Sequence, residues 1–500
     1  MASRLLGFAR DVAIAAILGA GPAAEAFLVA FSLPNMFRRF FAEGAFNTAF
    51  VPAFAKRLEA GEDAAGFARE AASALLALVA AVTLLAMAAM PLMVLAMASG
   101  FAGDARFDMA VLFGRIVFPY ILLISLAALL SGVLNATGRF AAAAAAPILL
   151  NLIFLAALAL AVLAGWPAGP ALAWAVPVAG LAQLALLWRA AARAGFRIVP
   201  GRPRLTARIR RLAVVAAPAA LAGGVVQVNL LVGRQVASFF DGAVAWLAYA
   251  DRLYQLPLGV VGIGIGVVLL PDLSRRLRAG DDTGGQGAFN RAAEIALALS
   301  LPAAVALIVI PGPIVGALFE RGAFDAGDTR ASALATAIYA AGLPAFVLQK
   351  VLQPVFFARE DTRRPFLYAL AALAVNAAVA IGLAPVIGFA AAALGTTVAG
   401  WAMAALLWRG ARGMGDAARP DARLLRRLPR MVLASLLMGA GLLAGAAVLS
   451  PWLAAGGARA AAAVAVLVAG GGAAYVAAAH LTGALRLGEL RAAIARRGAA

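Results

Sequence analysis

The chain has 500 residues, 64% of them hydrophobic and 13% charged, with a mean hydropathy of +0.95. Soluble domains hold roughly 45 to 50% apolar residues, so this composition excludes a soluble enzyme and points to a membrane protein. The net charge of +19 would suit a nucleic-acid binder, but the basic residues lie between apolar segments rather than on a soluble basic domain, and no nucleic-acid partner is expected. The absence of cysteine excludes disulfides and thiolate metal sites.

A helix needs about 20 residues to cross ~30 Å of hydrocarbon. Apolar runs between charges and Gly/Pro punctuation give fourteen segments, near 2–20, 24–55, 70–99, 108–136, 140–165, 169–192, 212–239, 242–273, 291–318, 331–357, 365–385, 388–411, 431–450 and 459–480. Continuous runs of this length predict helices, since barrel strands would alternate over about ten residues. The first segment lacks the short apolar core and small-residue cleavage site of a signal peptide, so it is expected to stay in the mature protein. The single histidine, His480, sits at the end of the last segment and reads as a helix-end residue near the interface.

With a cytoplasmic N-terminus, the connections after even-numbered segments and the C-terminal tail carry 30 Lys/Arg. The opposite side carries four: Arg106, Arg321, Arg330 and Arg459. By the positive-inside rule both termini are expected in the cytoplasm. Two halves follow one plan. Pro52, Ala60-Gly61-Glu62-Asp63, Pro119, Arg139 and Asn151 recur as Pro271, Ala279-Gly280-Asp281-Asp282, Pro344, Arg364 and Asn376, at offsets of 219 and then 225. Both copies start on the same side, which predicts parallel six-helix repeats with the substrate path between them. The expected organisation is an N-terminal lobe at 1–195, a cytoplasmic linker at 196–211, a C-terminal lobe at 212–412, two further helices within 413–480 and a basic cytoplasmic tail at 481–500.

Eight basic residues fall inside the apolar segments: Arg4, Arg10, Arg38, Arg39, Arg115, Arg234, Arg252 and Lys350. A cation at a helix centre costs ~2.5 to 3.5 kcal/mol on insertion scales, so such residues should face a wet cavity or a partner. Counting rise per residue puts Arg10, Arg38 and Arg252 roughly 14 to 20 Å below the outer boundary. Guanidinium forks at that depth suit an anion, because they bind phosphate oxygens bidentately. The competing reading is interhelical pairing with Asp11, Glu25, Glu43 or Asp251; Arg10 and Asp11, as helix neighbours, are not expected to face each other.

Several stretches resemble the MurJ/MviN family of the MOP exporter superfamily. They include Ser3-Arg4-Leu5-Leu6-Gly7-Phe8-Ala9-Arg10-Asp11, Leu33-Pro34-Asn35 with Arg38-Arg39, Ala42-Glu43-Gly44-Ala45-Phe46 and Ala49-Phe50-Val51-Pro52. Further along come Phe118-Pro119-Tyr120-Ile121-Leu122, Leu134-Asn135 with Arg139-Phe140, Leu149-Leu150-Asn151, Tyr249-Ala250-Asp251-Arg252-Leu253 and Leu269-Leu270-Pro271. The resemblance implies an all-α polytopic membrane protein of fourteen helices, with two six-helix lobes in a V and a last helix pair that forms a lipid-tail groove. It also implies a lipid II flippase rather than an enzyme, working by alternating access in the bacterial inner membrane for peptidoglycan synthesis. Carried over by position, Arg4, Arg10, Arg38 and Arg252 form a cationic cavity for the lipid II head group, and Asp11, Glu25, Glu43 and Asp251 are supporting or gating acids.

The implied partners are lipid II, membrane lipids and the cell-wall synthesis machinery. No cofactor or metal is expected. Some relatives carry a sodium site with acidic residues in the second lobe, but segments 7 and 11 contain no Asp or Glu, so sodium coupling gains no support and the membrane potential stays open as an energy source. Relatives also carry about a dozen residues before the Ser-Arg motif, whereas here it is Ser3-Arg4, which points to a start codon further upstream. The alternative reading is another flippase or exporter of the superfamily. A cation exporter would need acids where this chain has arginines, and a lipid-modifying enzyme would need a nucleotide-binding loop or paired carboxylates in a sizeable aqueous loop, neither of which the sequence offers.

Overall fold

The structure, a computed structural model, describes residues 2–38, 45–415 and 418–484. Among them the chain is helical apart from turns and one irregular connection at 194–206, with no extended strand. It forms two compact units, one of Met1–Ala245 with Gly322–Phe324 and one of Trp246–Arg321 with Asp325–Ala500.

The first unit holds α1 (Ala2–Leu18), α2 (Pro22–Arg38), α3 (Ala45–Glu59), α4 (Ala64–Ala88), α5 (Met90–Ala98), α6 (Ala105–Val117), α7 (Tyr120–Ala136), α8 (Ala141–Ala164), α9 (Ala168–Arg193) and α10 (Ala207–Ala237). The second holds nearly all of α11 (Ala243–Arg278), then α12 (Asp282–Val309), α13 (Pro311–Phe319), α14 (Ala326–Phe357), α15 (Arg363–Ile387), α16 (Ala390–Arg412), α17 (Ala422–Val448), α18 (Ser450–Ala454) and α19 (Gly457–Leu481).

The sequence repeat is a repeat of helices. The breaks that separate α4 from α5 and α12 from α13 each precede a nine-residue helix with a proline in its first turn. Proline tolerates that position because the N–H it lacks would have no partner there. The α6–α7 stretch, interrupted at Pro119, matches the length of α14, which runs through Pro344 unbroken. Packing repeats as well: α4 on α7, α7 on α9 and α8 on α9 in the first unit correspond to α12 on α14, α14 on α16 and α15 on α16 in the second. The turn residues recur down to the hydrogen bond. Glu62 N–H donates to Arg57 O at 2.9 Å over Gly61 at φ 67°, and Asp281 N–H donates to Arg276 O at 3.0 Å over Gly280 at φ 72°. A left-handed residue closing such a six-to-one bond ends the helix, and glycine adopts it without steric cost.

Ten helical stretches among the described residues are long and apolar enough to cross a membrane. The fourteen-segment expectation adds α1, α2 with α3, α10 and α11. Those additional helices are the ones that carry Arg4, Arg10, Asp11, Glu25, Arg38, Arg234, Asp251 and Arg252. The expected linker at 196–211 is pinned rather than loose: Gly201 N–H donates to Ser73 Oγ at 2.8 Å and Thr206 Oγ1 to Glu70 Oε2 at 2.8 Å. Beyond it α10 packs on α3 and α5, so the compact units divide at Ala245 and Trp246, later in the chain than that linker.

In the second unit α12 presents Gln286, Asn290 and Glu294, four residues apart and therefore on one face, to α17. Asn290 donates to Arg419 O at 2.9 Å and accepts from Asp421 N–H at 3.0 Å; Gln286 donates to Arg419 O at 3.2 Å. Glu294, 6% exposed, takes Arg423 at 3.0 and 3.2 Å, Arg291 at 3.2 Å and the buried Arg427. One turn further, Tyr475 of α19 donates its hydroxyl to Ala298 O at 2.7 Å. Replacing Glu294 with Ala leaves Arg427 buried beside Arg423 without this carboxylate, a loss of about 3 kcal/mol or more by analogy with broken buried pairs. The expected result is a lower unfolding temperature of the detergent-purified protein and faster proteolysis between residues 413 and 422; a melt identical to wild type would show that apolar packing alone holds α17.

Candidate functional site

Arg10 lies midway along α1 and is 8% exposed. Its Nε and Nη2 donate to Asp11 Oδ1 at 3.0 and 2.7 Å, and its Nη1 donates to Asn151 Oδ1 at 3.1 Å. The guanidinium stands 5.5 Å from the ring centre of Phe154, one turn along α8 from Asn151. Asn151 is fixed from its other end, donating Nδ2 to Ser3 O at 3.0 Å and to Pro147 O at 3.3 Å. The expectation that Arg10 and Asp11 do not meet is therefore corrected. Their Cβ atoms diverge by about a quarter turn, but the long arginine side chain reaches round the helix to the short carboxylate. Among the described residues, three of the five guanidinium N–H groups are engaged and two remain for another acceptor.

Glu25 has a different partner from those the sequence offered. It is 1% exposed, accepts from Arg106 Nη1 at 3.0 Å, and accepts the backbone N–H of Val244 at 3.0 Å. A carboxylate at a helix N-terminus satisfies an N–H that the helix itself leaves open. Arg106, assigned by the sequence to an outer connection, lies in the first turn of α6 and is 7% exposed, with Asp104 at 2.6 Å, Asp241 at 2.9 Å and the Phe101 ring centre at 4.6 Å. Asp104 caps α6 by accepting Arg106 N–H at 2.6 Å, and this first turn directs the arginine inward. In that loop the Arg106 side-chain hydrogen bond holds the Asp104 carboxyl below its ordinary range.

Arg4 is exposed on the first turn of α1, and Arg38 is half-buried as the last residue of α2. Arg39 and Glu43 lie outside the described residues. In the second unit Arg252 is exposed on α11, and the half-buried Asp251 beside it accepts a hydrogen bond from Gln255. The structure thus brings Arg10 together with Asp11, and Glu25 with Arg106 rather than with Arg10. Asn151 was not among the expected site residues, although its recurrence as Asn376 was a signal. His480 is exposed in the last turn of α19, as expected of a helix-end residue.

Two copies of one helix order, built from apolar helices of membrane-spanning length, define a polytopic membrane transporter with an internal repeat. Comparison with known proteins gives its family. The sequence model described as lipid II flippase MurJ matches residues 14–455. A probable lipid II flippase MurJ of Rhizobium meliloti (strain 1021) is 47% identical over 466 residues, covering 91% of this chain and 85% of that protein. The lipid II flippase MurJ of Burkholderia cenocepacia is 35% identical, with 90% and 88% covered. A solved structure of lipid II flippase MurJ in an inward closed conformation matches the fold at a TM-score of 0.79 and 22% identity, with 96% of each chain covered. An inward-facing multidrug resistance MATE transporter of the MOP superfamily matches at 0.69 and 15% identity, covering 83% of this chain and 95% of that one. The chain belongs to the lipid II flippase MurJ family, a family of transporters and not of enzymes.

The pairing of Arg10 with Asn151 predicts a graded result. Asn151→Leu removes one acceptor from a buried guanidinium and should cost about 1 to 3 kcal/mol of stability. Asn151→Asp, which keeps an acceptor, should melt closer to wild type. Equal melting of wild type and Asn151→Leu would show that the amide does not hold Arg10.

Proposed function

We propose that this protein moves lipid II, the undecaprenyl-diphosphate-linked peptidoglycan precursor, from the cytoplasmic to the periplasmic leaflet of the inner membrane. The observation that carries the reading is the match of the chain to the lipid II flippase family over residues 14–455, joined to a buried arginine that keeps two donors for an anion. The diphosphate and the acidic peptide of lipid II are the anions such a group would bind. In this reading Arg4, Arg10, Arg38 and Arg252 contact the head group, with Asp11, Glu25, Glu43 and Asp251 as supporting or gating acids. Asp11 balances the charge of Arg10 while no substrate is bound, and an entering phosphate takes the guanidinium N–H groups that Asp11 and Asn151 leave open. No cofactor is assigned, sodium coupling gains no support from the sequence, and the membrane potential is the candidate driving force for moving an anion outward. The cell-wall synthesis machinery is the candidate partner in the cell. The charge asymmetry supports cytoplasmic termini.

A reconstituted assay tests the function: liposomes containing the purified protein should expose labelled lipid II on the opposite leaflet. Arg10→Ala, Arg38→Ala and Arg252→Ala should each lower that rate by tenfold or more at wild-type protein levels, about 1.4 kcal/mol in the barrier. Lysine should restore it only in part, since an ammonium keeps the charge and loses the fork. The exposed Arg321, which donates to Ala317 O at 2.7 Å, is the control, and Arg321→Ala should be silent. Normal rates in all three alanine variants would leave those arginines as structural partners of nearby groups.

Orientation is tested separately in this cysteine-free chain. Cysteines introduced at Ala168 or at the 78% exposed Val386 should react with an impermeant thiol reagent from outside intact cells, and one at Gly201 should not. The opposite pattern would reverse the topology.

A further inference from the structure

Helix α17 carries arginines on two faces. Arg423 and Arg427 turn inward to Glu294 and fix how the helix is rotated against α12. Arg426 and Arg430 are exposed, and neither makes an ion pair or a side-chain hydrogen bond among the described residues. At about 100° per residue, positions 426, 430, 433 and 437 fall on one narrow stripe. Leu433 and Leu437, further along it, are 49% and 53% exposed. On a helix that crosses a membrane, exposed leucines meet acyl chains. The stripe passes from cations to acyl-facing leucines within about two turns, roughly 10 Å, so the arginines stand where acyl chains give way to head groups.

We infer that Arg426 and Arg430 form a docking site for the phosphate of an anionic phospholipid of the surrounding bilayer, whose acyl chains lie along Leu433 and Leu437. Two like charges four apart on a helix repel, and a phosphodiester between them removes the repulsion while accepting from both forks. The site is partly pre-ordered. Arg430 Nη1 lies 3.1 Å from where a Cβ on Gly483 would stand, so the side chain rests against the end of α19. Charge selects the occupant: the exposed end of the stripe is doubly cationic, and its continuation is apolar. A bilayer lipid matches both halves, whereas a soluble anion matches only the first.

The test titrates the full-length detergent-solubilised protein with phosphatidylglycerol and, in parallel, with phosphatidylcholine, and counts bound lipids by native mass spectrometry. The double variant Arg426→Gln/Arg430→Gln should bind one fewer phosphatidylglycerol, with apparent affinity reduced threefold or more, and should bind phosphatidylcholine as wild type does. Arg459→Gln, a cation next to the other end of the helix pair, should change neither. A matching thermal melt for the double variant shows that the loss is one of binding and not of folding. Unchanged phosphatidylglycerol binding would overturn the inference. So would displacement of phosphatidylglycerol from wild type by an equal concentration of a short polyprenyl diphosphate, because the site would then belong to the transported substrate.

Discussion

A charged side chain removed from water must bring a counter-charge or hydrogen-bond partners with it, and this chain meets that constraint at three places on which its helix packing depends. Arg10 is held by Asp11 and Asn151 between α1 and α8. Glu25 and Arg106 join α2 to α6 and hold the backbone at Val244. Glu294 gathers Arg291, Arg423 and Arg427 and attaches α17 to α12. In hydrocarbon, apolar surfaces gain little by meeting each other, since lipid tails serve them equally well. Polar contacts of this kind therefore decide which helix faces meet, while the alanine and glycine of this chain let the faces approach closely.

The three places use different surpluses. At Arg106 four contacts from three carboxylates engage all but one of the guanidinium N–H groups, which suits a fixed structural joint. At Glu294 the surplus is reversed, one buried carboxylate among three arginines, and α17 is drawn onto α12 by its basic inner face. Arg10 is intermediate: one carboxylate and one amide orient it, and two donors stay available. Burial with a partner is thus not in itself a sign of either structure or function. The count of donors against acceptors separates the two.

The all-helical class, the parallel repeat and the pairing of turns were legible because they rest on local chemistry that a sequence displays. The Gly61 and Gly280 turns needed glycine at positive φ, and the same spacing in both halves gave the repeat away. The position of Arg10 inside the first helix was legible from the apolar run around it. Its partner was not, because the argument used Cβ directions, and an arginine is long enough to defeat them. The burial of Arg106 was hidden for a related reason. A charge two residues into a helix reads as loop when hydropathy sets the boundary, and only the Asp104 cap reveals that the helix has begun. Nor could composition show that the 196–211 stretch is fastened to α4, because those bonds join residues more than a hundred positions apart.

The placement of Asp11 next to Arg10 has a consequence for a transporter that interhelical pairing would not have. A counter-ion on the neighbouring helix would tie the two helices together and would have to be broken each time they moved. A counter-ion on the same turn travels with its arginine, which lowers the cost of holding that cation in hydrocarbon wherever α1 goes. Asn151 supplies the remaining contact as an uncharged acceptor, which holds the guanidinium without cancelling any charge. In the role proposed above, a phosphate meets a guanidinium that is already oriented and takes the N–H groups its two partners leave open. That division of labour, with Asp11 for charge and Asn151 for direction, is what the α1–α8 contact adds to an arginine that the sequence alone had picked out.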